Sequence, residues 1–412
     1  MTKPFAISKR MVYDAWKRVK AKRGGAGIDR QSLEEFEENL SGNLYKVWNR
    51  LASGSYFPPP VREVGIPKHD GGVRKLGVPT VGDRVAQTVV KQYLEPYLEP
   101  HFEPDSYGYR PGRSAHDAVR VTRQRCWEYD WVVEFDVKGA FDNLEHDLLM
   151  KLLRRHTDCR WVLLYVERWL QAPSVTDDGE VTQRVRGTPQ GGVVSPLLMN
   201  LFMHYAFDRW MRREVGTCPY ARYADDGVVH CRTERQARWV KHRVAERFRA
   251  CGLELHPTKT RIVYCKDSNR REDYPQTQFT FLGFTFRPRR ACNRAGQLFT
   301  SFLPGASPAA LKRMRQVIRS WHLPRQTQRT VGQLSTTYNP ILAGWWQYYG
   351  AFYPTVVQGV FWHFDLALKY WACRKYKRLY RRPRRGRLWL DGVAGREPGL
   401  FVHWCHRHRS AG

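Results

Sequence analysis

The sequence predicts an α+β fold, because three kinds of patterning occupy different parts of the chain. Apolar residues recur at helical spacing near the start, in Ser8 to Lys20 and again from Ser32 to Leu51. Runs rich in Val and aromatic residues fill the middle, notably Val132 to Asp136 and Tyr220 to His230. Beyond Pro304 the pattern returns to helices, now rich in Arg.

Composition narrows the function classes. A chain of 412 residues with 42% hydrophobic content is long enough for two or three domains with cores, which excludes a disordered tail. Its 69 Lys and Arg against 39 Asp and Glu leave a formal charge of +30. Such an excess points to an extended anionic partner, nucleic acid first. No apolar run approaches the ~18 residues of a spanning helix, and Met1 to Arg10 lacks an apolar signal core. The expectation is a soluble, cytoplasmic protein with no membrane partner. The nine Cys include no Cys-x-x-Cys pair, so neither a zinc ribbon nor a disulfide framework is indicated.

In chain order, Ser8 caps the first helix, with Val12, Ala15, Trp16 and Val19 on its apolar side. Gly24 to Gly27 lack the flanking strand and the Gly-Lys-Ser/Thr ending of a phosphate loop and read as a plain loop. Ser32 and Glu35 form a capping box opening one helix through Leu51. Val61 to Leu76 reads as a basic hairpin turning at Asp70-Gly71-Gly72, where Lys68 and Arg74 can grip a triphosphate. Asp83 opens a helix ending before Pro96. Ser106 to Ser114 is a loop in which aromatic residues sit beside Arg110 and Arg113, a combination suited to a nucleic-acid backbone or stacked base. Asp142 to His156 and Arg160 to Leu170 read as helices, and Gln171 to Arg186 as a hairpin turning at Asp177-Asp178-Gly179 in polar surroundings. Thr188-Pro189-Gln190-Gly191-Gly192 precedes a long helix through Trp210, capped by Ser195 with Pro196 at its first position. Its glycines permit close backbone approach to a ligand, and Gln190 is placed beside an incoming nucleotide.

The chemistry concentrates at Asp225 and Asp226, adjacent acids interrupting a β-hairpin. The same residues with Gly227 would serve as a plain Asp-Gly turn. The apolar run Val132 to Asp136 supplies a third acid. Magnesium prefers oxygen ligands and is held by one or two carboxylates together with substrate phosphates. Two such ions roughly 3.5 to 4 Å apart stabilise the attacking and leaving oxygens of a phosphoryl displacement. Asp136 and Asp225 on neighbouring strands suit a bridging role, with Asp226 completing the set. Clustered carboxylates without cations repel one another and raise their pKa values.

After a helix over Glu234 to Cys251 come His256-Pro257-Thr258-Lys259-Thr260 and the aromatic hairpin Phe279 to Phe286. The order Ile-Pro-Lys with a basic hairpin, Tyr-Gly-Tyr-Arg-Pro, Phe-Asp-Val-Lys-Gly-Ala-Phe-Asp, Thr-Pro-Gln-Gly-Gly, Tyr-Ala-Asp-Asp, His-Pro-Thr-Lys-Thr and Phe-Leu-Gly-Phe resembles the motif series of group II intron-encoded reverse transcriptases, or maturases. The resemblance covers essentially the whole chain. It implies a right-hand polymerase with residues 1–60 as an N-terminal fingers extension, 61–304 as fingers and palm with an antiparallel sheet, 305–380 as an α-helical thumb or maturase domain, and 381–412 as a short basic tail. The expectation of no endonuclease domain is a departure from the longest family members, which append one with paired cysteines and histidines.

The resemblance further implies that Asp136, Asp225 and Asp226, with the backbone of Val137, hold two Mg2+ ions. It assigns Lys68, Arg74, Gln190 and Lys259 to the nucleotide site, Phe141 to the space beneath the nucleotide's sugar, and Leu282-Gly283 to the primer grip. An RNA template, intron RNA, a DNA primer or target and deoxynucleoside triphosphates are the implied partners. The alternatives are a domesticated relative in phage defence or DNA repair, and an RNA-binding splicing factor without polymerase activity. The residues themselves set no oligomeric state. Lys369 to Arg387 contains no acid, so Lys369, Arg374, Lys375 and Arg378 form a candidate phosphate-binding face. Trp321, Trp345, Trp346, Trp362 and Trp371 are expected to be interhelical packing.

Overall fold

The computed structural model describes residues 3–67 and 72–406, so Lys68, the expected turn at Asp70-Gly71, and the last six residues lie outside the described residues. The fold is α+β, as the patterning predicts. Its first third contains α1 (Lys9–Lys22), α2 (Leu33–Glu38), α3 (Leu40–Ser53), β1 (Val61–Pro67), β2 (Val73–Val78), α4 (Val81–Leu98) and α5 (Ala115–Glu128). Then follow β3 (Trp131–Asp136), α6 (His146–Arg154), α7 (Arg160–Gln171), β4 (Ser174–Thr176), β5 (Val181–Thr182), α8 (Ser195–Met203), α9 (Arg209–Glu214), β6 (Tyr220–Tyr223), β7 (Asp226–Cys231) and α10 (Glu234–Ala250). The remainder is β8 (Arg261–Tyr264), β9 (Phe279–Phe281), β10 (Phe284–Cys292), β11 (Leu298–Ala306), α11 (Pro308–Ser320), α12 (Val331–Tyr349), α13 (Pro354–Lys375) and α14 (Pro383–Arg396).

The chain groups into two compact units, one of residues 1–118, 135–229 and 235–260, the other of 119–134, 230–234 and 261–412. This division differs from the boundaries expected from the sequence. It assigns 119–134 and 261–304 to the unit that holds α11 to α14.

In the first unit, α1 buries Val12, Ala15, Trp16 and Val19, the four residues its periodicity selects. The Ser32–Glu35 capping box is present. The single helix expected from Ser32 to Leu51 is instead broken at Asn39, which leaves helical geometry (φ −120°, ψ 52°) and accepts a bond from the Gly42 amide at 3.3 Å. An Asn side chain competes with the helix for backbone donors in this way. Helix α4 continues past Pro96 to Leu98. A proline in the last turn removes one hydrogen bond and leaves the turns before it intact. A four-stranded sheet of order β2-β1-β4-β5 completes the basic hairpin, with β1 and β2 antiparallel from Arg62↔Val78 to Pro67↔Val73 and β4 parallel to β1. Asp177, from the Asp-Asp pair expected to be a plain turn, forms an ion pair with Arg62 at 2.7 Å.

The helix expected from Ser195 to Trp210 is continuous but carries a π turn at His204–Asp208. Ser195 does not cap it: Val194 holds that position without a side-chain bond, and the Ser195 hydroxyl meets Thr188 Oγ1 at 2.7 Å. Strands β6 and β7 pair antiparallel from Tyr220↔Val229 to Tyr223↔Asp226.

In the second unit, β3 residues Trp131 to Glu134 pair antiparallel with β8, and β9, β10 and β11 form a three-stranded meander. Helices α11 to α14 share a core that includes Met314, Leu342, Phe364, Trp371, Leu390 and Trp404. The stretch from residue 381 is therefore no appendage through Trp404: α14 buries Leu390 and Val393, and Phe401 and Trp404 join the same core. Trp321 stacks between Tyr338 and Trp345 at centroid distances of 4.4 and 5.8 Å, and Trp371 is fully buried, as packing residues should be. Trp362 departs from that expectation with 58% of its surface exposed.

Candidate active site

Strand β3 reads Trp-Val-Val-Glu-Phe-Asp and is buried along its length until Asp136, where the apolar run stops. Antiparallel bonding continues beyond it. The His256 amide donates to the Asp136 carbonyl and the Lys138 amide to the Glu254 carbonyl, both at 2.8 Å, while Val137 bridges Leu255. This lays the His-Pro-Thr-Lys stretch beside the end of β3 and sets Lys259 Nζ 3.1 Å from Asp136 Oδ2.

The pairing Tyr223↔Asp226 leaves a two-residue loop of Ala224 and Asp225, with Ala224 at φ +57°. The turn is therefore Ala-Asp, and Gly227 lies within β7. Its glycine has another cause: a Cβ there would come within 2.3 Å of the Phe135 ring. That ring packs on Phe207 and Phe248 at 4.8 and 5.8 Å, so the clearance lets β7 lie against the core immediately behind Asp226.

The three carboxyl groups affect one another electrostatically. Burial pushes Asp226 up to about 8, helped by a hydrogen bond with the Asp136 carboxyl and by the charges of Asp225 and Asp136, with Lys259 opposing. Asp225 is raised, first by burial and then by the charge of Asp136, against a backbone hydrogen bond and the cations Arg74 and Lys259. Two carboxyl groups in hydrogen-bond contact share a proton unless cations replace it. This all-oxygen donor set with surplus negative charge fits hard divalent cations. Among the described residues, no group of three His, Cys, Asp or Glu side chains already forms a closed metal cage. The fit therefore rests on donor chemistry and charge.

Arg74 on β2 donates from Nε to Gln190 Oε1 at 2.8 Å, and Gln190 Nε2 donates to Asp142 Oδ2 at 3.1 Å. The Gln190 loop is stitched to β2 by the Gly77 amide, which donates to the Gln190 carbonyl at 2.7 Å. Gly191 makes this approach possible, since at φ +120° a Cβ would lie 2.4 Å from the Gly77 carbonyl oxygen. Phe141 is 7% exposed in a short 3-10 turn next to Asp142, and its carbonyl accepts the Thr188 amide at 2.7 Å. Arg74, Phe141, Gln190 and Lys259 thus all sit in the unit that carries the carboxylates.

Other residues singled out from the sequence fall elsewhere. Arg110 is a correction to the expected nucleic-acid contact. Its guanidinium turns inward, pairs with Glu99 at 2.7 Å and donates to the carbonyls of Glu103 and Ser106 at 2.6 and 2.7 Å. Arg113 stays exposed, over the Tyr107 ring. In the second unit, Leu282 and Gly283 form the two-residue turn between β9 and β10 at φ +52° and +79°. The Leu282 carbonyl accepts the Tyr348 hydroxyl at 2.9 Å. Arg374 and Arg378 are exposed on the expected basic face, Lys369 lies over the Tyr370 ring, and Lys375 donates to the Thr327 carbonyl at 2.7 Å. His403, within the stretch expected to be a short basic tail, is buried against Asp365 at 2.9 Å.

Sequence reading missed the support beneath the carboxylates. Arg222 is fully buried, paired through Nε with Asp208 Oδ1 at 2.7 Å, and it also bonds Ser106 Oγ and the Ala224 carbonyl at 2.7 Å. The available signal was an arginine at a core-facing place in the Tyr-Ala-Arg-Tyr strand, since a buried guanidinium requires a partner. A second buried group centres on Asp83, which accepts Tyr56, Trp169 and Gln87 at 2.7, 2.7 and 2.9 Å.

Residues 66–286 match the model of the reverse transcriptase (RNA-dependent DNA polymerase) family, and residues 311–389 match that of the group II intron maturase-specific domain. Protein YkfC of Escherichia coli (strain K12) is 33% identical over 247 residues, covering 58% of this chain and 60% of that protein. The group II intron-encoded protein LtrA of Lactococcus lactis subsp. cremoris is 26% identical over 422 residues, covering 82% of this chain and 68% of that protein.

Proposed function

The chain belongs to the reverse transcriptase family, in its group II intron-encoded branch with a maturase-specific domain, and from that membership we propose that it copies RNA into DNA and also binds intron RNA to assist splicing and mobility. The observation that carries the polymerase reading is the meeting of the Asp136 and Asp226 carboxyls, with Asp225 close enough to raise their charge problem and Lys259 on Asp136.

In this reading a DNA primer's 3′-hydroxyl attacks the α-phosphate of a deoxynucleoside triphosphate and pyrophosphate leaves. Asp136, Asp225, Asp226 and the Val137 carbonyl would hold two Mg2+ ions, whose chemistry is stabilisation of the attacking and leaving oxygens. Arg74 grips the triphosphate as a guanidinium fork, with Lys68 as a second, point charge. Gln190 exchanges its bond with Arg74 for the nucleotide, and Lys259 supplies positive charge beside Asp136. The Phe141 ring leaves no room for a 2′-hydroxyl and offers it no hydrogen bond, which favours deoxynucleotides. Leu282-Gly283 holds the primer end. Lys369, Arg374, Lys375 and Arg378 meet phosphates, as does Arg113.

Extension of a DNA primer on an RNA template by the Asp225→Ala variant tests this. Activity is expected to vanish while affinity for the RNA persists, since the substitution removes a carboxylate and no phosphate contact. Undiminished extension would sink the assignment, and a wild-type chain that binds RNA without extending a primer would favour a splicing factor alone.

A further inference from the structure

A cavity of about 290 Å3 in the second unit has a lining unlike the rest of that unit's basic surface. Its walls are Trp346, Phe361, Trp362, His403 and His406, with Gln358, Asp365 and Arg387 at the margins. His406 stacks on Trp346 at 4.4 Å and 10°, and His403 on Phe361 at 5.0 Å and 8°, so the walls are flat rings in nearly parallel pairs. Trp362 is 58% exposed.

His403 is the polar feature. It is 4% exposed, and its Nε2 meets Asp365 Oδ1 at 2.9 Å while Trp404 Nε1 donates to the same oxygen at 3.0 Å. When Nε2 is the donor to Asp365, that tautomer leaves Nδ1 as an acceptor. That Nδ1 is buried with no hydrogen-bond partner among the described residues. A buried polar atom left unmet in this way is costly, and the residue that carries it lines the cavity. A ligand matched to this lining is flat, presents an N–H and tolerates cations nearby: Arg387 lines the cavity, and Arg384 and Arg385 are exposed in the first turn of α14.

We propose that this cavity seats a single unpaired RNA nucleobase, stacked on the aromatic walls with its N–H edge toward His403 Nδ1 and its phosphates toward the arginines of α14. Unstacked bases in loops and bulges are recognised through such rings and edges. The proposal rests on the RNA-binding reading above and adds to it the chemistry that distinguishes a bulged strand from a paired one.

The test uses the full chain and two RNA hairpins, identical except that one carries a single bulged 2-aminopurine. Wild-type protein is expected to bind the bulged hairpin about tenfold more tightly and to quench its fluorescence, the range of a single base–aromatic stack. His403→Phe keeps a flat ring and removes the acceptor together with the Nε2 bond to Asp365, and Trp362→Ala alters an exposed wall that the core does not need. Each is expected to erase the discrimination while leaving affinity for the plain hairpin and primer extension unchanged. Should His403→Phe fail to fold by circular dichroism, Trp362→Ala carries the test. Equal binding of both hairpins by a wild-type chain that extends primers normally overturns the pocket and leaves the polymerase standing. A wild-type chain that neither binds hairpins nor extends primers overturns both.

Discussion

Arg222 and Asp208, both without solvent exposure, form an ion pair whose Nε–Oδ1 distance is 2.7 Å and whose second contact is 2.5 Å. Asp208 ends the π turn that interrupts the helix from Ser195, and Arg222 also holds the Ala224 carbonyl of the Ala224–Asp225 turn. Removing one member leaves a buried charge unpaired, at a cost of roughly 3–5 kcal/mol. Asp208→Asn is therefore expected to lower the urea midpoint strongly. Arg222→Lys does not rescue it, because an ammonium lacks the planar fork. Urea midpoints within error of wild type would show that the pair adds nothing.

Phe141→Ala is expected to raise the ratio of ribonucleotide to deoxynucleotide incorporation by roughly 10- to 200-fold, the range over which pocket shape alone discriminates. Single-nucleotide kinetics on an RNA template measure it. An unchanged ratio removes Phe141 from sugar selection.

Gly227→Ala places a methyl group on the Phe135 ring, where a Cβ would stand at 2.3 Å. Overpacking of this sort costs about 1–3 kcal/mol, and here the strand that must shift carries Asp226. Loss of primer extension is expected to exceed the loss of stability, compared by activity and urea unfolding at one temperature. Were the residue merely a turn former, alanine would harm both alike.

Burial pushes His204 down to about 4 and His230 down to about 3 from an ordinary 6.5. Both His230 ring nitrogens and His204 Nδ1 lack a hydrogen-bond partner among the described residues. Below pH 6.5 the unfolded chain takes up protons that the folded chain refuses. Stability from these groups is thus complete above 6.5 and declines as pH falls through the window toward 4 and 3. His230→Phe is expected to flatten that decline, read as the difference in urea midpoint between pH 7.5 and pH 5. An equal decline in wild type and variant would assign the acid sensitivity to other groups.

The crowded carboxylates also make a prediction independent of catalysis. Mg2+ at millimolar concentration is expected to raise the melting temperature by a few degrees through binding to the folded state alone. EDTA reverses the rise, and Asp136→Asn or Asp225→Asn abolishes it. A shift that persists in both variants locates the ion elsewhere.

The local features of this molecule were legible in its residues. The Ser8 and Ser32 caps, the four buried positions of α1, the basic hairpin, the β run ending at Asp136 and the Leu282-Gly283 turn depend on neighbours a few places away, and periodicity and capping chemistry report such neighbours directly. Tertiary structure alone decided the rest. Arg110 turns inward because Glu99 and two carbonyls await it, Gly227 makes way for Phe135, Ser195 meets Thr188 instead of capping, and Phe401, His403 and Trp404 are drawn into a core begun about a hundred residues earlier. Each outcome turns on which distant side chain occupies the adjoining space, and burial energies that select such partners act through packing, on which sequence spacing carries no information.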